Sequence, residues 1–475
     1  MISDKSDAAI RDGGSFRDPS GYVFFRGENV YRTVNPSAEA TFKSVAKSGL
    51  IEELAGEKLL LPTEISPADA GDPGQFRGAR GEMPALVLKH PRIPFISYPY
   101  EWNFSQMRDA ALAHLDLQLR AFDRGFVLSD ATAYNMQFYQ GKLLHIDVLS
   151  LRPYVEGEPW SGYNQFCRTF LLPLLIEAWC GMPFQPLMRG RIEGISFADA
   201  VTILPALKLW TSLNGIMHVA LQARIIASAS SASKGKGQTD FKLAPARYKA
   251  ILQEMRNWIG RLKSGRKVSS YWNSYAEVNS YSNDMRRVKE EFVSKWAPAV
   301  KNGVIWDIGG NTGDYSKCVL DAGAEQSIVF DSDLDSLEKA YQRSKQGLRV
   351  LPLLVDIADP SPSLGWRQAE RRGLNERSKP AGILALAVIH HLAIGRNLPF
   401  SDVIDWFVDT APDGIIEFVP KSDPMVAQML ANREDVFHDY DEAHFFAYLE
   451  ARAIVTARHR FGENGRVVVS YRRRV

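Results

Sequence analysis

The sequence predicts an α/β protein whose residues 303–475 form a mostly parallel sheet with helices on both faces. Three observations predict it. From Val304 onward, apolar strand-like runs alternate with helical ones. The first run ends in a glycine-rich turn, Asp307-Ile308-Gly309-Gly310-Asn311-Thr312-Gly313. The chain closes on two more strand-like runs, Ala453 to Phe461 and Val467 to Tyr471, around Gly462-Glu463-Asn464-Gly465. Strand–helix alternation requires crossover connections and so a parallel sheet. A closing hairpin adds an antiparallel strand to it.

The chain has 475 residues, too many for one hydrophobic core, so two or more domains are expected. A formal net charge of +2 gives no basis for a nucleic-acid-coating protein, and no nucleic-acid partner is expected. The basic end Tyr471-Arg472-Arg473-Arg474 reads as a solvated terminus. Three widely spaced cysteines, Cys167, Cys180 and Cys318, make no Cys-x-x-Cys pair and leave one over. Neither a disulfide framework nor a zinc site is expected, and a reducing cytosol fits. The first residues lack the apolar core of a signal peptide. Phe170 to Ile176 meets Glu177 far short of a membrane span and reads as a buried helix, so no membrane partner and a cytoplasmic location are expected. The oligomeric state is not readable.

Residues 1–225 read as one domain. Val23 to Arg32 reads as a hairpin and Pro67 to Arg80 as a surface loop. Residues 226–240, small, polar and of low complexity, are expected to be a flexible linker. Residues 241–302 read as a helical connector: Ala244 to Leu262 has helical apolar spacing, Tyr271-Trp272-Asn273-Ser274-Tyr275 follows, and Met285 to Val300 is helical again. Strands are expected at Val304–Ile308, Ser327–Phe330, Val350–Val355, Ile383–Val388 and Gly414–Val419, with helices Tyr315–Ala322 and Leu334–Ser344 between the first three.

Glycines in the first turn let a ligand approach the backbone, and the helix after it offers free N–H groups. A dinucleotide site is the obvious competitor. The turn reads Asp-x-Gly-x-Asn-x-Gly instead of Gly-x-Gly-x-x-Gly, and its leading acid, Asp307, would repel a pyrophosphate but favour a sulfonium and an ammonium. Asp331 ends the second strand, where a carboxylate accepts both ribose hydroxyls, with Asp333 nearby as an alternative. Asp356 follows the third strand, where an acid receives an adenine amino group.

On these residues the segment from Val304 to the end resembles class I S-adenosylmethionine-dependent methyltransferases. The resemblance implies a Rossmann-like seven-stranded sheet with a terminal antiparallel hairpin. It implies S-adenosyl-L-methionine as cofactor, with Asp307, Gly309 and Gly313 at its methionine part, Asn311 in the same turn, Asp331 at the ribose and Asp356 at the adenine. Asn311 stands where glycine is commoner in that family. The resemblance also places His390, in Ala387-Val388-Ile389-His390-His391-Leu392, beside the donor methyl, where it could take a proton from a nucleophile. Ordering of the loop is the alternative for His390, and the preferred reading for His391. Glu417, in the fifth strand, could orient a substrate hydroxyl, and Lys421 could bind an acidic group.

Farther upstream, Asp130, Asn135, a short hairpin and Asp147 resemble the catalytic loop and metal acid of kinase-like and aminoglycoside-phosphotransferase-like folds. That likeness implies an α+β kinase-like domain, degenerate or active, with Gln106 to Arg124 as the helix before the loop and Ile93 to Trp102 as the strand and hinge between lobes. Were it active, Asp130 would be the base, Asn135 and Asp147 would hold magnesium, and Mg-ATP would be a second cofactor. Ser129 and Val148 depart from the pattern, and neither a glycine-rich phosphate loop nor a strand lysine is evident. No resident metal is otherwise expected. The layout of Tyr98-Pro99-Tyr100-Glu101-Trp102 and Asp130-Ala131-Thr132 ahead of the Asp-x-Gly-x-Asn-x-Gly turn resembles the NoeA type of nodulation proteins over nearly the whole chain. The expected function is methyl transfer to a small-molecule or glycoconjugate acceptor, the N-terminal domain helping to select it. The alternatives are a bifunctional methyltransferase/phosphotransferase and a non-catalytic S-adenosylmethionine-binding module.

Overall fold

A computed structural model describes residues 8–66, 73–78, 81–231, 242–267 and 283–474. The chain divides into two units, residues 1–267 with 363–372, and residues 268–362 with 373–475.

The first unit begins with an antiparallel sheet of Ile10–Arg11 (β1), Val23–Arg26 (β2), Asn29–Val34 (β3), Glu64–Ile65 (β4) and Leu86–His90 (β5), ordered β1-β2-β3-β5-β4. Helices Pro36–Lys47 and Leu50–Gly56 follow β3, and their Phe42, Val45, Leu50 and Leu54 join Val34 and Leu88 in one buried cluster. Helix Phe104–Asp123 starts on a capping box: the Gln106 N–H donates to the Asn103 side chain, and the Asn103 N–H donates back to the Gln106 side chain. After it, Phe126–Leu128 (β6) pairs with Leu151–Pro153 (β9), enclosing the hairpin Met136–Tyr139 (β7) and Lys142–His145 (β8).

Several expectations for this unit need correction. Residues 93–102 form no strand: Pro91, Pro94 and Pro99 remove ladder donors, and the segment ends in the turn Pro99–Glu101, with Trp102 donating to the Ser97 hydroxyl at 2.9 Å. The loop expected over 67–80 is described only in part, and there Phe76 is fully buried between Phe24 and Tyr31, at 5.4 and 5.2 Å between ring centres. Residues 226–231 of the expected linker are helical, continuing Leu221–Ser231, because alanine and serine extend a helix already nucleated by Leu221 to Ile225. The remainder, 232–240, lies outside the described residues, as does Tyr271 to Tyr275. The connector expected over 241–302 is two separate pieces. Helix Pro245–Arg261 belongs to the first unit, with Tyr248 stacked on Phe122 at 4.7 Å, whereas Asn283–Trp296 belongs to the second. Sequence patterning also gave no sign that residues 363–372 return to the first unit, where Glu370 pairs with Arg17 and Arg372 with Asp12.

In the second unit Val304–Ile308 (β10), Gln326–Asp331 (β11), Val350–Leu354 (β12), Gly382–Ala385 (β13), Asp413–Phe418 (β14), Ala453–Phe461 (β15) and Arg466–Arg473 (β16) make one sheet ordered β12-β11-β10-β13-β14-β16-β15. β10 to β14 run parallel, and β16 is antiparallel to both neighbours. Ile305, Val329, Leu384, Ile415 and Val468 from five strands share a core with Val293 and Trp296 of helix Asn283–Trp296. Among the described residues no helix is long and apolar enough to cross a membrane.

Four histidines of the first unit are buried, and burial lowers all their pKa values, those of His90 and His218 to about 4. His114, between His145, Phe166 and Phe170, has no hydrogen-bond partner on either ring nitrogen. The folded unit therefore excludes protons that the unfolded chain takes up below the ordinary histidine pKa of about 6.5. Stability should be full above that pH and fall as the pH drops toward 4, by roughly 3 kcal/mol for each of His90 and His218. Thermal melts across this range, with His114→Phe flattening part of the slope, check it.

Candidate functional site

Strand register aligns the carboxyl ends of the second unit's sheet. Ile308 sits opposite both Phe330 and Ala385, so Gly309, Asp331 and Leu386 emerge at one edge. Asp331 lies opposite Leu354, which brings Asp356 to the same edge, and Ala385 lies opposite Ile416, which brings Glu417. The strand order reverses between β10 and β13, the position where ligands of open α/β sheets bind.

The turn after β10 carries three alternate left-handed positions, Gly309 (φ +64), Asn311 (φ +51) and Gly313 (φ +76). A Cβ on Gly309 would lie 2.7 Å from the Val388 side chain, and one on Gly310 would lie 2.6 Å from the Asp307 carboxyl carbon. The turn thus rests against the loop after β13, where Ala387 is itself left-handed (φ +55). The Asp307 side chain lies beneath the turn, fully buried, and accepts from the Ser316 hydroxyl at 2.6 Å, which also meets Ser327 at 2.8 Å. Burial raises the Asp307 pKa to about 7, and the Asp331 charge adds to the rise. The Asp331 carboxylate accepts the Asn311 N–H and the Asp333 N–H, both at 2.9 Å. Asp333 caps helix Leu334–Lys345 through the N–H groups of Asp335 and Ser336, so the two acids have separate work. Asp356 accepts the Ala358 N–H at 2.9 Å and pairs with Arg396.

The residues expected near the acceptor are placed unequally. His390 is buried at the end of this loop, its Nδ1 has no hydrogen-bond partner, and burial, then His391, holds its pKa well below the ordinary value. Its burial disfavours the charged form of the ring. Glu417 is fully buried between two cations, Lys289 Nζ at 2.7 Å and Arg466 at 3.2 Å, and Arg466 also reaches Asp423 at 2.8 Å. It is held as an ion-pair partner and does not stand free to orient a substrate hydroxyl. Lys421 is likewise engaged, with Asp435 at 2.8 Å and the Phe437 carbonyl at 2.7 Å.

In the first unit the short β6 strand and the hairpin after it bring Asp130, Asn135 and Asp147 together. Burial, then the charges of Asp147 and Asp18, raises the Asp130 pKa, which the Thr132 N–H and the Asn135 side chain oppose. The Asp147 carboxylate, expected as a magnesium ligand, already pairs with Arg32 of β3 at 3.3 Å, and Arg32 also pairs with Asp18. Among the described residues no three acidic, histidine or cysteine side chains gather as metal ligands.

Sequence reading missed Arg32, Ser316, Lys289, Arg466 and Arg343, which holds the Thr312 carbonyl and Asp314 at 2.6 Å. Only Ser316 left a signal, standing three residues after Gly313 in the first helical turn.

No protein-family model matches the chain. Solved structures with partial likeness include the N-methyltransferase NodS from Bradyrhizobium japonicum WM9, 12% identical, covering 40% of this chain and 98% of that one at a TM-score of 0.30. Another is an S-adenosylmethionine-dependent methyltransferase from Clostridium acetobutylicum ATCC 824, 12% identical, covering 43% and 97% at 0.32. The fold of the second unit is assigned from its own strand order, third-second-first-fourth-fifth-seventh-sixth with the seventh antiparallel, which is the order of class I methyltransferases. Over the full length, the nodulation protein NoeA of Rhizobium meliloti (strain 1021) is 40% identical across 472 residues, 98% of this chain and 97% of that protein. The chain belongs to the NoeA family of nodulation proteins, and its second unit is a class I methyltransferase domain by fold.

Proposed function

We propose that the chain transfers a methyl group from S-adenosylmethionine to a nucleophilic atom of a small-molecule or glycoconjugate acceptor. The reading is carried by one observation: the glycine turn, Asp331, Asp356 and the Val388–His390 loop share the carboxyl edge of β10 to β13. Bound there, the cofactor supplies an electrophilic methyl on a positively charged sulfur.

The chain's own residues then have defined tasks. The left-handed backbone of Gly309, Asn311 and Gly313 leaves room for the methionine part. Asp331, fixed by two backbone N–H groups, accepts from the ribose hydroxyls, and Asp356 with Arg396 frames the adenine. His390, unpartnered at Nδ1 and with its charged form disfavoured by burial, accepts the acceptor's proton where the nucleophile is a hydroxyl or amine. Displacement at a sulfonium needs positioning and exclusion of water more than a strong base.

Asp307 makes cofactor binding sensitive to pH. With its pKa raised to about 7, it is partly protonated near neutrality, and a cation brought against the turn favours the ionised form. Binding of S-adenosylmethionine should release up to one proton just below pH 7 and tighten as the pH rises through 7. Calorimetry in two buffers of different ionisation enthalpy reads the release, which Asp307→Asn should abolish.

To test transfer itself, methyl-labelled S-adenosylmethionine is incubated with the protein and a panel of saccharides, amines and lipid-linked glycans. Label is expected in an acceptor with intact protein and not with Asp331→Ala. Tight cofactor binding without label in any acceptor would favour a binding module.

For the first unit, we infer that the kinase-like arrangement of Asp130, Asn135 and Asp147 serves acceptor selection and not phosphotransfer. Arg32 supports this, because its guanidinium already balances the acid that would hold magnesium. Magnesium and ATP together should leave the melting temperature unchanged. A rise in it that Asp147→Ala removes would instead support the bifunctional alternative.

A further inference from the structure

Two neighbouring helical stretches of the first unit, Ala206–Thr211 and the run from Leu213 to Ser231, expose a row of large apolar side chains. Leu207 is 77% exposed, Leu213 71%, Ile225 52% and Trp210 47%, with Met217 and Leu221 exposed between them. Single exposed apolar residues are ordinary, but a continuous row on consecutive helices marks a surface that something covers.

The row owes its alignment to an irregular backbone. Leu213, Met217, Leu221 and Ile225 are four residues apart, a spacing that drifts around a regular helix of 3.6 residues per turn. The π-helical turn Ile216–Ala220 widens the winding there and offsets the drift. The opposite face is separately anchored: His218, Val219 and Ala220 are buried, His218 Nδ1 lies 2.8 Å from the Tyr163 hydroxyl, and its ring stacks on Trp258. The exposed row is therefore not needed to hold the helix down.

Charge identifies the occupant. Residues 204–231 contain Lys208 and Arg224 and no acidic residue. The Arg224 guanidinium lies over the Trp210 ring at 5.4 Å, so its stem follows the apolar row while its charge stays at the border. Lys208 lies in the same stretch, its Nζ donating to the Trp179 carbonyl at 3.2 Å, so these residues carry only positive charge beside an apolar strip that holds a tryptophan, and that sign favours an anionic bilayer surface. A second copy fits less well, since a two-fold contact would set this cationic stretch against the same stretch of the other copy, which supplies no acid.

We propose that this row docks the protein on an anionic lipid surface, as a peripheral contact and without spanning it. The proposal is independent of the methyl-transfer reading, because neither set of site residues lies in these helices.

The test is sedimentation of the full chain with vesicles of phosphatidylcholine alone and of phosphatidylcholine mixed with phosphatidylglycerol. The intact protein should pellet with the mixed vesicles, less with phosphatidylcholine alone, and less as salt is raised. The triple variant Leu213→Ser, Leu221→Ser, Ile225→Ser should bind at least about tenfold more weakly, with an unchanged melting temperature. Lys208→Gln and Arg224→Gln should each weaken binding roughly fivefold. Intact protein that stays in solution with mixed vesicles, or a triple variant that binds equally well, overturns the proposal. So does an intact protein that dimerises through this row, shown by a triple variant that is monomeric.

Discussion

Replacing Glu417 by alanine should destabilise the second unit severely instead of slowing transfer in a folded enzyme. Glu417 is fully buried and balances Lys289, itself 1% exposed, together with Arg466. Removing the acid leaves two buried cations facing each other with Asp423 alone to offset them. Breaking a buried ion pair from one side costs about 3–5 kcal/mol, because the remaining charge is desolvated without compensation. In a domain of this size that is a fall of about 10 °C or more in melting temperature. Circular dichroism melts of Glu417→Ala and Lys289→Met should both show it, and the double variant should recover part of the loss. A Glu417→Ala protein that melts like the parent but has lost transfer would return Glu417 to a role in the reaction.

Asp331→Ala should reduce affinity for S-adenosylhomocysteine by a hundredfold or more while the protein remains folded. A carboxylate accepting two ribose hydroxyls contributes about 1.5–3 kcal/mol for each charge-assisted bond, so losing both costs at least about 3 kcal/mol. The same side chain accepts the Asn311 N–H, so the variant also loosens the glycine turn. Asp331→Asn separates the two effects, since its remaining carbonyl oxygen can keep the backbone bond to the turn. It should bind the nucleoside more weakly than the parent and more tightly than the alanine variant. Equal affinity in all three proteins would mean that Asp331 is only a turn-former.

What could be read from the sequence was local. Apolar runs located β10, β11, β12, β14 and the closing hairpin within a residue or two, because a strand buried in a parallel sheet leaves an uninterrupted apolar signature. The Asp331 and Asp356 positions followed from strand ends alone. The sequence could not show Asp307 turned beneath its own glycine turn onto Ser316, because which way a strand-end side chain faces depends on register. Nor could it show that Glu417 is occupied: its partners Lys289 and Arg466 lie on a distant helix and on the last strand, and each reads alone as an ordinary surface charge. The same holds for Arg32, which in sequence is one more polar position of a hairpin and meets Asp147 only because the fold brings β3 against the residues after β8. The strand over 93–102 is implied by the kinase-like likeness alone, and Pro91, Pro94 and Pro99 in and beside that segment argue against a ladder there. The return of residues 363–372 to the first unit rests on Arg17–Glu370 and Asp12–Arg372, pairs far too remote in sequence to be seen by pattern.

Titrating the intact chain with S-adenosylhomocysteine in a calorimeter at neutral pH asks whether the edge of β10, β11 and β13 is an S-adenosylmethionine site. Saturable binding of one equivalent, with a matching rise in melting temperature, is the result expected. No heat and no thermal stabilisation at any reachable concentration would contradict it.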